Sequence, residues 1–294
     1  MLSSSQAADA DRKQALLCAH AGPRAPSGAA PGRPQPGAEN PKALLRDLSE
    51  PARDRERLAA DQIAELCDRF GCSDHRRAQI DSLLRLLQED PHAPTSVTDP
   101  RAALQMHFAD SLAALEIEGV STAASLVDIG SGAGFPGIAL AMWLPHAHVH
   151  LVESRGTRCA FLRRALACAQ VSNATVVHTR AEQWREGLGV NHLAVARAVG
   201  PQPAVLEYAA PLLAVGGLLV DWRGRRELQE EQQTLCAADQ LRLTRVDVRR
   251  VQPFPSAKDR HLHVFQKVEE TPPRFPRRPG VALKRPLRAD RGGL

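Results

Sequence analysis

The sequence predicts an α/β protein built on a doubly wound, mostly parallel, seven-stranded sheet. From Ser125 onward, short apolar segments of strand length alternate with amphipathic segments of helix length, the pattern of parallel strands joined by helical crossovers. The last two strand-like segments follow one another without a helix, so they should form an antiparallel edge. The predicted strands are Leu126–Ile129, His148–Val152, Thr175–His178, Leu193–Ala196, Gly217–Asp221, Leu241–Val251 and His261–Val268.

Four regions of the chain differ in composition. Residues 1–40 are rich in Ala, Pro and Gly and poor in large apolar side chains, so we expect a disordered extension. Residues 41–120 carry apolar side chains at helical spacing and predict a helical cap. Residues 121–270 hold the predicted sheet, and residues 271–294 form a basic carboxyl-terminal tail that we expect to be a second disordered end.

The net charge of +5 is concentrated in that tail. From Thr271 onward there are seven basic residues against one acidic residue, Asp290, whereas the rest of the chain is about neutral. A basic tail on a neutral body suggests a polyanionic partner, and a solvated end without a partner is the alternative. Charge alone leaves both open.

Hydropathy and the amino-terminal residues predict the cellular compartment of the protein. No apolar run approaches the roughly 20 residues of a membrane helix, and the first residues lack the pattern of a secretory signal. The cysteines and histidines show no spacing typical of a metal site. We therefore expect a cytoplasmic protein, monomeric, without a membrane partner and without a metal.

A glycine-rich turn follows the first predicted strand, in the run L-V-D-I-G-S-G-A-G-F-P-G. Gly130, Gly132 and Gly134 occupy every second position of this turn. Glycine lets the backbone turn tightly and approach a ligand without an intervening Cβ atom. Phe135 follows directly and can cover a ligand with an apolar ring. The turn therefore predicts a cofactor-binding loop.

The glycine spacing is compatible with two cofactors. Gly132, Gly134 and Gly137 also satisfy the dinucleotide pattern G-x-G-x-x-G, with Glu153 about twenty residues later. Asp128 favours the other cofactor, S-adenosylmethionine, because a carboxylate here faces an ammonium group better than a pyrophosphate. We favour S-adenosylmethionine, and a nicotinamide-dependent oxidoreductase is the alternative.

Further candidate residues stand where later strands end. Glu153 ends the second strand and could accept hydrogen bonds from both hydroxyls of a ribose, or pair with a nearby arginine. Ala181 and Glu182 follow the third strand, at the edge where adenine should rest. Arg197 ends the fourth strand and could bind a carboxylate or phosphate, or form an ordinary ion pair.

Seven short blocks carry a resemblance to a known family. They are T-S-V-T-D-P (95–100), H-F-A-D-S (107–111), D-I-G-S-G-A-G-F-P-G (128–137), R-A-E (180–182), A-R-A (196–198), R-H-L (260–262) and T-P-P-R-F-P-R-R-P-G (271–280). In this order and spacing they resemble the RsmG (GidB) family of bacterial small-subunit ribosomal RNA methyltransferases. The glycine loop is common to many methyltransferases, so the specificity of the resemblance rests on the other six blocks.

The resemblance implies a fold, an activity and a site. The fold would be the Rossmann-like class I methyltransferase fold, and the activity would be methylation of guanine N7 in 16S rRNA of the small ribosomal subunit, at the guanosine at position 527. The family's cofactor-binding positions correspond to Gly130, Phe135, Ala181, Glu182 and Arg197. On physical grounds we add Asp128, Gly132 and Glu153.

Two positions depart from the family pattern, and both concern RNA contacts. Met106 stands where the family usually has a basic residue, and Arg223 stands where it has a lysine. Arg223 keeps the charge, but a planar guanidinium is not equivalent to an ammonium.

The implied reaction does not require general acid or base catalysis. Guanine N7 carries a lone pair and no proton, so no catalytic acid or base is assigned. His107 and Asp110 are candidate positioning residues, with packing and capping roles as alternatives. A non-catalytic RNA-binding or assembly protein on the same fold is the non-enzymatic alternative.

Overall fold

The computed structural model describes residues 61–288 of the chain. The predicted disordered extension, residues 1–40, lies outside the described residues, as do residues 41–60 of the predicted cap and residues 289–294 of the tail. No helix within residues 61–288 has the length and apolar character needed to cross a bilayer.

A seven-stranded sheet forms the centre of the described structure. Its strands are β1 Ser125–Ile129, β2 His148–Glu153, β3 Ala174–His178, β4 Asn191–Arg197, β5 Leu213–Arg223, β6 Leu243–Val251 and β7 Arg260–Lys267. They lie in the order β3-β2-β1-β4-β5-β7-β6. Strands β1 to β5 are parallel, and β7 runs antiparallel to both β5 and β6. The predicted doubly wound, mostly parallel sheet with an antiparallel edge is confirmed.

Helices precede the sheet and connect its strands. The described part of α1 covers residues 61–70, and α2 covers Asp74–Glu89. Helix α3 combines the α-helical turns Pro100–Ala103 and Asp110–Leu112 with a π-helical segment, Leu104–Ala109, between them. The remaining helices are α4 Gly137–Trp143, α5 Gly156–Cys168, α6 Gln202–Ala209, α7 Leu228–Gln240 and α8 Val281–Lys284.

Two hydrophobic cores lie on the two faces of the sheet, because successive residues of a strand point to opposite sides. Leu126 of β1 belongs to the core that β1 shares with α1 to α5. Val127 and Ile129 of the same strand belong to the other core, which includes residues of α6 and α7. Parallel strands buried on both faces explain why these segments read as continuous apolar runs.

The amino-terminal helices follow the predicted apolar spacing. Ile80, Leu83, Leu84 and Leu87 are all buried on one side of α2. Helix α3 begins where its local chemistry predicts, because the Asp99 carboxylate accepts a hydrogen bond from the Ala102 amide at 3.0 Å. The described parts of α1, α2 and α3 share one core with a face of the sheet.

The carboxyl-terminal segment differs from the disordered end that we expected. Phe275 is buried with the second core, and so is Ala282 of α8. The Arg277 side chain pairs with Glu207 of α6. Two apolar anchors and one ion pair order a segment whose composition is otherwise that of a solvated tail.

The order of the strands defines a topological switch point between β1 and β4. The chain moves outward from β1 to β3 and then returns to add β4 on the other side of β1. In open α/β sheets ligands bind outside the carboxyl ends of the strands at such a switch point. The candidate site is therefore expected among the residues that follow Ile129 and those around Arg197.

We predict that Phe275→Ala lowers the free energy of unfolding by about 3 kcal/mol, the usual cost of truncating a buried phenylalanine. Leu283→Ala is the matched control in the same segment, because Leu283 is half exposed, and should change it by less than about 0.5 kcal/mol. Urea unfolding followed by circular dichroism measures both. Equal midpoints for Phe275→Ala and the unmodified protein would mean that the segment does not pack on the core.

Candidate functional site

The loop between β1 and α4 has a backbone that requires glycine. Gly130 and Gly134 have φ angles of +70° and +95°, which other residues rarely adopt. At Gly137 the limit is space, because a Cβ atom would lie 2.5 Å from both Asp128 Oδ2 and Leu151 Cδ2. The loop therefore packs tightly against the end of β1.

Asp128 lies beneath this loop and is 1% exposed. Its Oδ2 accepts a hydrogen bond from the Gly137 amide at 3.0 Å. Burial raises the pKa of the Asp128 carboxyl to about 7, against the opposing effect of the Gly137 amide. Sequence reasoning placed this carboxylate toward a ligand, and the structure shows that its hydrogen bond ties the end of β1 to the start of α4.

Glu153 ends β2 and holds the other side of the loop. Its Oε2 accepts from the Gly132 amide at 3.2 Å, and its Oε1 accepts from the Arg155 amide at 2.8 Å. Arg158 also approaches Oε2, at 3.5 Å. The carboxylate thus lies where the ribose contact was expected, and it also makes the arginine contact named as the alternative.

Ala181 and Glu182 lie in a short 3-10 turn, Ala181–Gln183, that follows β3. The Glu182 side chain forms a hydrogen bond with a distant part of the chain. Its Oε1 accepts a hydrogen bond from the Gly280 amide at 2.9 Å, and Gly280 belongs to the carboxyl-terminal segment. No local sequence pattern predicts this contact, because the two residues are 98 positions apart.

Arg197 ends β4 and is bound to the π-helical region of α3. Its guanidinium donates to Asp110 Oδ2 at 2.8 Å and to the Met106 carbonyl at 2.9 Å. Arg260, at the start of β7, lies 3.8 Å from Asp110 Oδ1. Trp222 of β5 donates its indole N–H to the Asp110 carbonyl at 2.9 Å. The ion-pair alternative for Arg197 is therefore present, and its partner is Asp110.

His107 connects the helices to the glycine loop. Its ring stacks on Phe135 with 4.7 Å between centroids and 9° between planes. Its Nε2 lies 3.1 Å from Thr95 Oγ1, which accepts a hydrogen bond from the Val97 amide. Burial, and then the charge of Arg197, lower the pKa of His107 to about 4, so the ring is neutral near pH 7.

Two buried polar atoms of this cluster make no hydrogen bond within the described part of the chain. They are His107 Nδ1 and Asp110 Oδ1. Buried polar atoms without partners are uncommon in folded proteins.

Arg223, one of the two departures from the family pattern, forms hydrogen bonds to groups of the protein itself. Its Nε donates to Asp221 Oδ2 at 2.6 Å, and its NH1 group donates to the Gly200 carbonyl at 2.9 Å. Met106, the other departure, exposes 38% of its surface. The Met106 carbonyl accepts a hydrogen bond from Arg197, so an exposed apolar residue occupies the position of this departure.

The structure brings most of the predicted site residues together at the carboxyl edge of the sheet. Asp128, Gly130, Gly132, Phe135 and Glu153 form or contact the loop, whereas Ala181 and Glu182 lie beyond the next strand. Phe135 contacts His107 on α3, and Arg197 contacts the same segment. A glycine loop at a switch point of the sheet, with carboxylates and an arginine beside it, has the groups that hold a nucleoside-like cofactor.

Comparisons with known proteins agree on one family. The model of the family described as rRNA small subunit methyltransferase G (GidB) matches residues 78–262. The protein called Ribosomal RNA small subunit methyltransferase G in Chloroflexus aggregans is 34% identical over 223 residues, which are 73% of this chain and 92% of that protein. The protein of the same name in Rubrobacter xylanophilus is 40% identical over 196 residues, 65% of this chain and 75% of that protein.

A solved structure, that of a putative O-methyltransferase from Klebsiella pneumoniae, is similar with a TM-score of 0.45 and 15% identity, over 73% of this chain and 99% of that chain. The family model covers more than half of the chain and includes the glycine loop, Arg197 and Arg260. The chain belongs to the rRNA small subunit methyltransferase G (GidB) family.

Proposed function

We propose that this protein transfers the methyl group of S-adenosylmethionine to N7 of a guanosine in the 16S rRNA of the small ribosomal subunit. The observation that carries the proposal is the meeting of the family's separate blocks at one crevice. His107 lies on Phe135, and Asp110 lies between Arg197 and Arg260, beside the glycine loop. Membership of the family supplies the substrate class, and it favours neither the nicotinamide-dependent nor the non-catalytic alternative.

The residues present fit S-adenosylmethionine. The loop from Gly130 to Gly134 lets the backbone approach the cofactor closely, and Glu153 at the end of β2 offers carboxylate oxygens to the ribose hydroxyls. Ala181 and Glu182 would border the adenine. Arg197 offers a guanidinium that is partly exposed and suits the carboxylate of the methionine moiety. When bound, the cofactor supplies an electrophilic methyl group on a sulfonium.

The protein's part in the reaction is to orient the two reactants and to exclude water. Guanine N7 attacks with its own lone pair, so no proton has to be removed. Neutral His107 adds no positive charge to a site that would hold a cationic cofactor. The stacked pair of His107 and Phe135 instead fixes the loop against α3, which holds the geometry that methyl transfer requires.

We predict that the purified protein transfers labelled methyl from S-adenosylmethionine to 16S rRNA in small subunits from cells that lack its gene. Small subunits from cells that keep the gene are the control and should accept little label, because the target base is already modified. Mass spectrometry of nuclease digests should place the label on 7-methylguanosine. Label on another nucleoside would contradict the proposed base, and binding of NADH without binding of S-adenosylmethionine would contradict the cofactor.

We predict that Gly137→Ala weakens binding of S-adenosylmethionine by about tenfold or more. The added Cβ atom would clash with Asp128 and Leu151, and relieving this clash must displace the loop. Gly156→Ala is the matched control, because a Cβ atom there would make only ordinary contacts with His178. Titration calorimetry measures both affinities. Equal affinities would show that the loop does not form the cofactor site.

We predict that Asp128→Asn changes how stability depends on pH. Because the pKa of Asp128 is raised in the folded protein, the folded state binds the proton more tightly than the unfolded state. This favourable contribution is present at low pH and is lost as pH rises from about 4 to about 7. Asparagine keeps a neutral acceptor for the Gly137 amide, so the variant should gain stability relative to the unmodified protein between pH 5 and pH 8, by about 1 kcal/mol or more. Thermal unfolding at several pH values measures the difference, and a constant difference would contradict the raised pKa.

A further inference from the structure

The carboxyl-terminal segment 272–285, here called the clamp, contacts two of the loops at the candidate site. It lies after the last strand of the sheet and includes α8. Its basic composition suggested a polyanionic partner, with a solvated end as the alternative. Its contacts suggest a different role, which concerns the cofactor.

The clamp is anchored by Arg277. Both the backbone amide and the side-chain Nε of Arg277 donate to Glu207 Oε1, at 3.0 and 2.8 Å, and its second guanidinium nitrogen donates to Glu207 Oε2. Glu207 lies on α6 and is fully buried. A buried carboxylate needs this complete set of donors, because an unpaired charge in the interior is strongly unfavourable. Arg277 also donates to the Arg285 carbonyl at 2.9 Å, which fixes the far end of the clamp.

From this anchor the clamp reaches the loops that follow β3 and β4. The Gly280 amide donates to Glu182 Oε1 at 2.9 Å. Gly280 has a φ of +78°, a left-handed conformation that turns the chain at this point. Leu283 packs against Gly200, where an added Cβ atom would lie 3.0 Å from Leu283 Cδ1. The clamp therefore bridges the expected adenine side of the site and the loop after Arg197.

The charges of the clamp are not equivalent. The guanidinium of Arg277 is compensated by Glu207, and that of Arg274 lies over the Phe275 ring at 5.1 Å. Arg278, the next residue after Arg277, is exposed. The two adjacent arginines thus carry the same formal charge, but Arg277 is in an ion pair and Arg278 is exposed to solvent.

We propose that Arg277, through its pairing with Glu207, is a positioning residue that sets the clamp so that the Gly280 amide holds Glu182 in place at the cofactor site. This proposal rests on the proposed function. Its consequence is that the clamp contributes to the affinity for S-adenosylmethionine, while Arg278 contributes only charge. The inward arginine acts on the cofactor and the outward arginine does not.

The test compares Arg277→Gln with Arg278→Gln in the full chain, since each removes one positive charge from the same segment. Arg277→Gln should raise the Kd and the KM for S-adenosylmethionine about tenfold, with kcat at saturating cofactor within about twofold of the unmodified protein. Arg278→Gln should leave both constants unchanged.

The possible results separate the proposal from its basis. Equal cofactor affinities in the two variants, with normal binding by the unmodified protein, overturn the role of Arg277 and leave the proposed function intact. Failure of the unmodified protein to bind S-adenosylmethionine overturns both. A fall in kcat without a change in the KM for the cofactor also overturns the role assigned to the clamp.

A second measurement needs no variant and covers the case in which Arg277→Gln does not fold. Hydrogen–deuterium exchange of the unmodified protein is followed with and without S-adenosylmethionine. Peptides that contain Gly280 should exchange about tenfold more slowly with the cofactor, because binding stabilises the bond between Gly280 and Glu182. Peptides from β6, at the far edge of the sheet, are the internal control. Exchange that slows in neither region, at saturating cofactor, overturns the proposal.

Discussion

The hydrogen bond between the buried Asp128 carboxyl and the Gly137 amide is the contact on which the site depends. It joins the end of β1 to the first residue of α4, and this restricts the conformations open to the glycine loop between them. Glu153 fixes the middle of that path through the Gly132 amide. Phe135 then has a defined place, and the stacking of His107 on it brings α3 to the edge of the sheet.

Asp110 plays the same organising part on the other side of the crevice. It binds Arg197 from β4, lies close to Arg260 from β7, and receives the Trp222 indole from β5 through its carbonyl. Three strands and one helix therefore converge on a single residue. The Asp110 carboxylate is almost fully buried, so its charge has to be compensated by the arginines. Separating the pair would leave an uncompensated buried charge, and the contact therefore fixes the positions of both partners.

Local sequence predicted the sheet, the glycine loop and the strand ends, because strand periodicity and glycine chemistry act over a few residues. It could not predict what the side chains of those residues bind. Asp128 bonds to its own loop, and Arg197 bonds to a residue 87 positions away. The packing of 272–288 was missed for a related reason: Arg277 and Glu207 are separated by 70 positions, and composition reports only that the segment is basic and rich in proline.

The same point changes how the net charge of the protein should be read. Formal charge counts Arg197, Arg223 and Arg277 as free cations, yet each is paired with a buried carboxylate: Asp110, Asp221 and Glu207 respectively. At long range an arginine in such a pair adds little attraction, because its field is compensated by a carboxylate a few ångströms away. Long-range attraction to RNA then falls to exposed cations such as Arg278. Arginines that look alike in the sequence thus divide into those paired with buried carboxylates and those exposed to solvent. Burial, which the sequence does not report, separates the two groups.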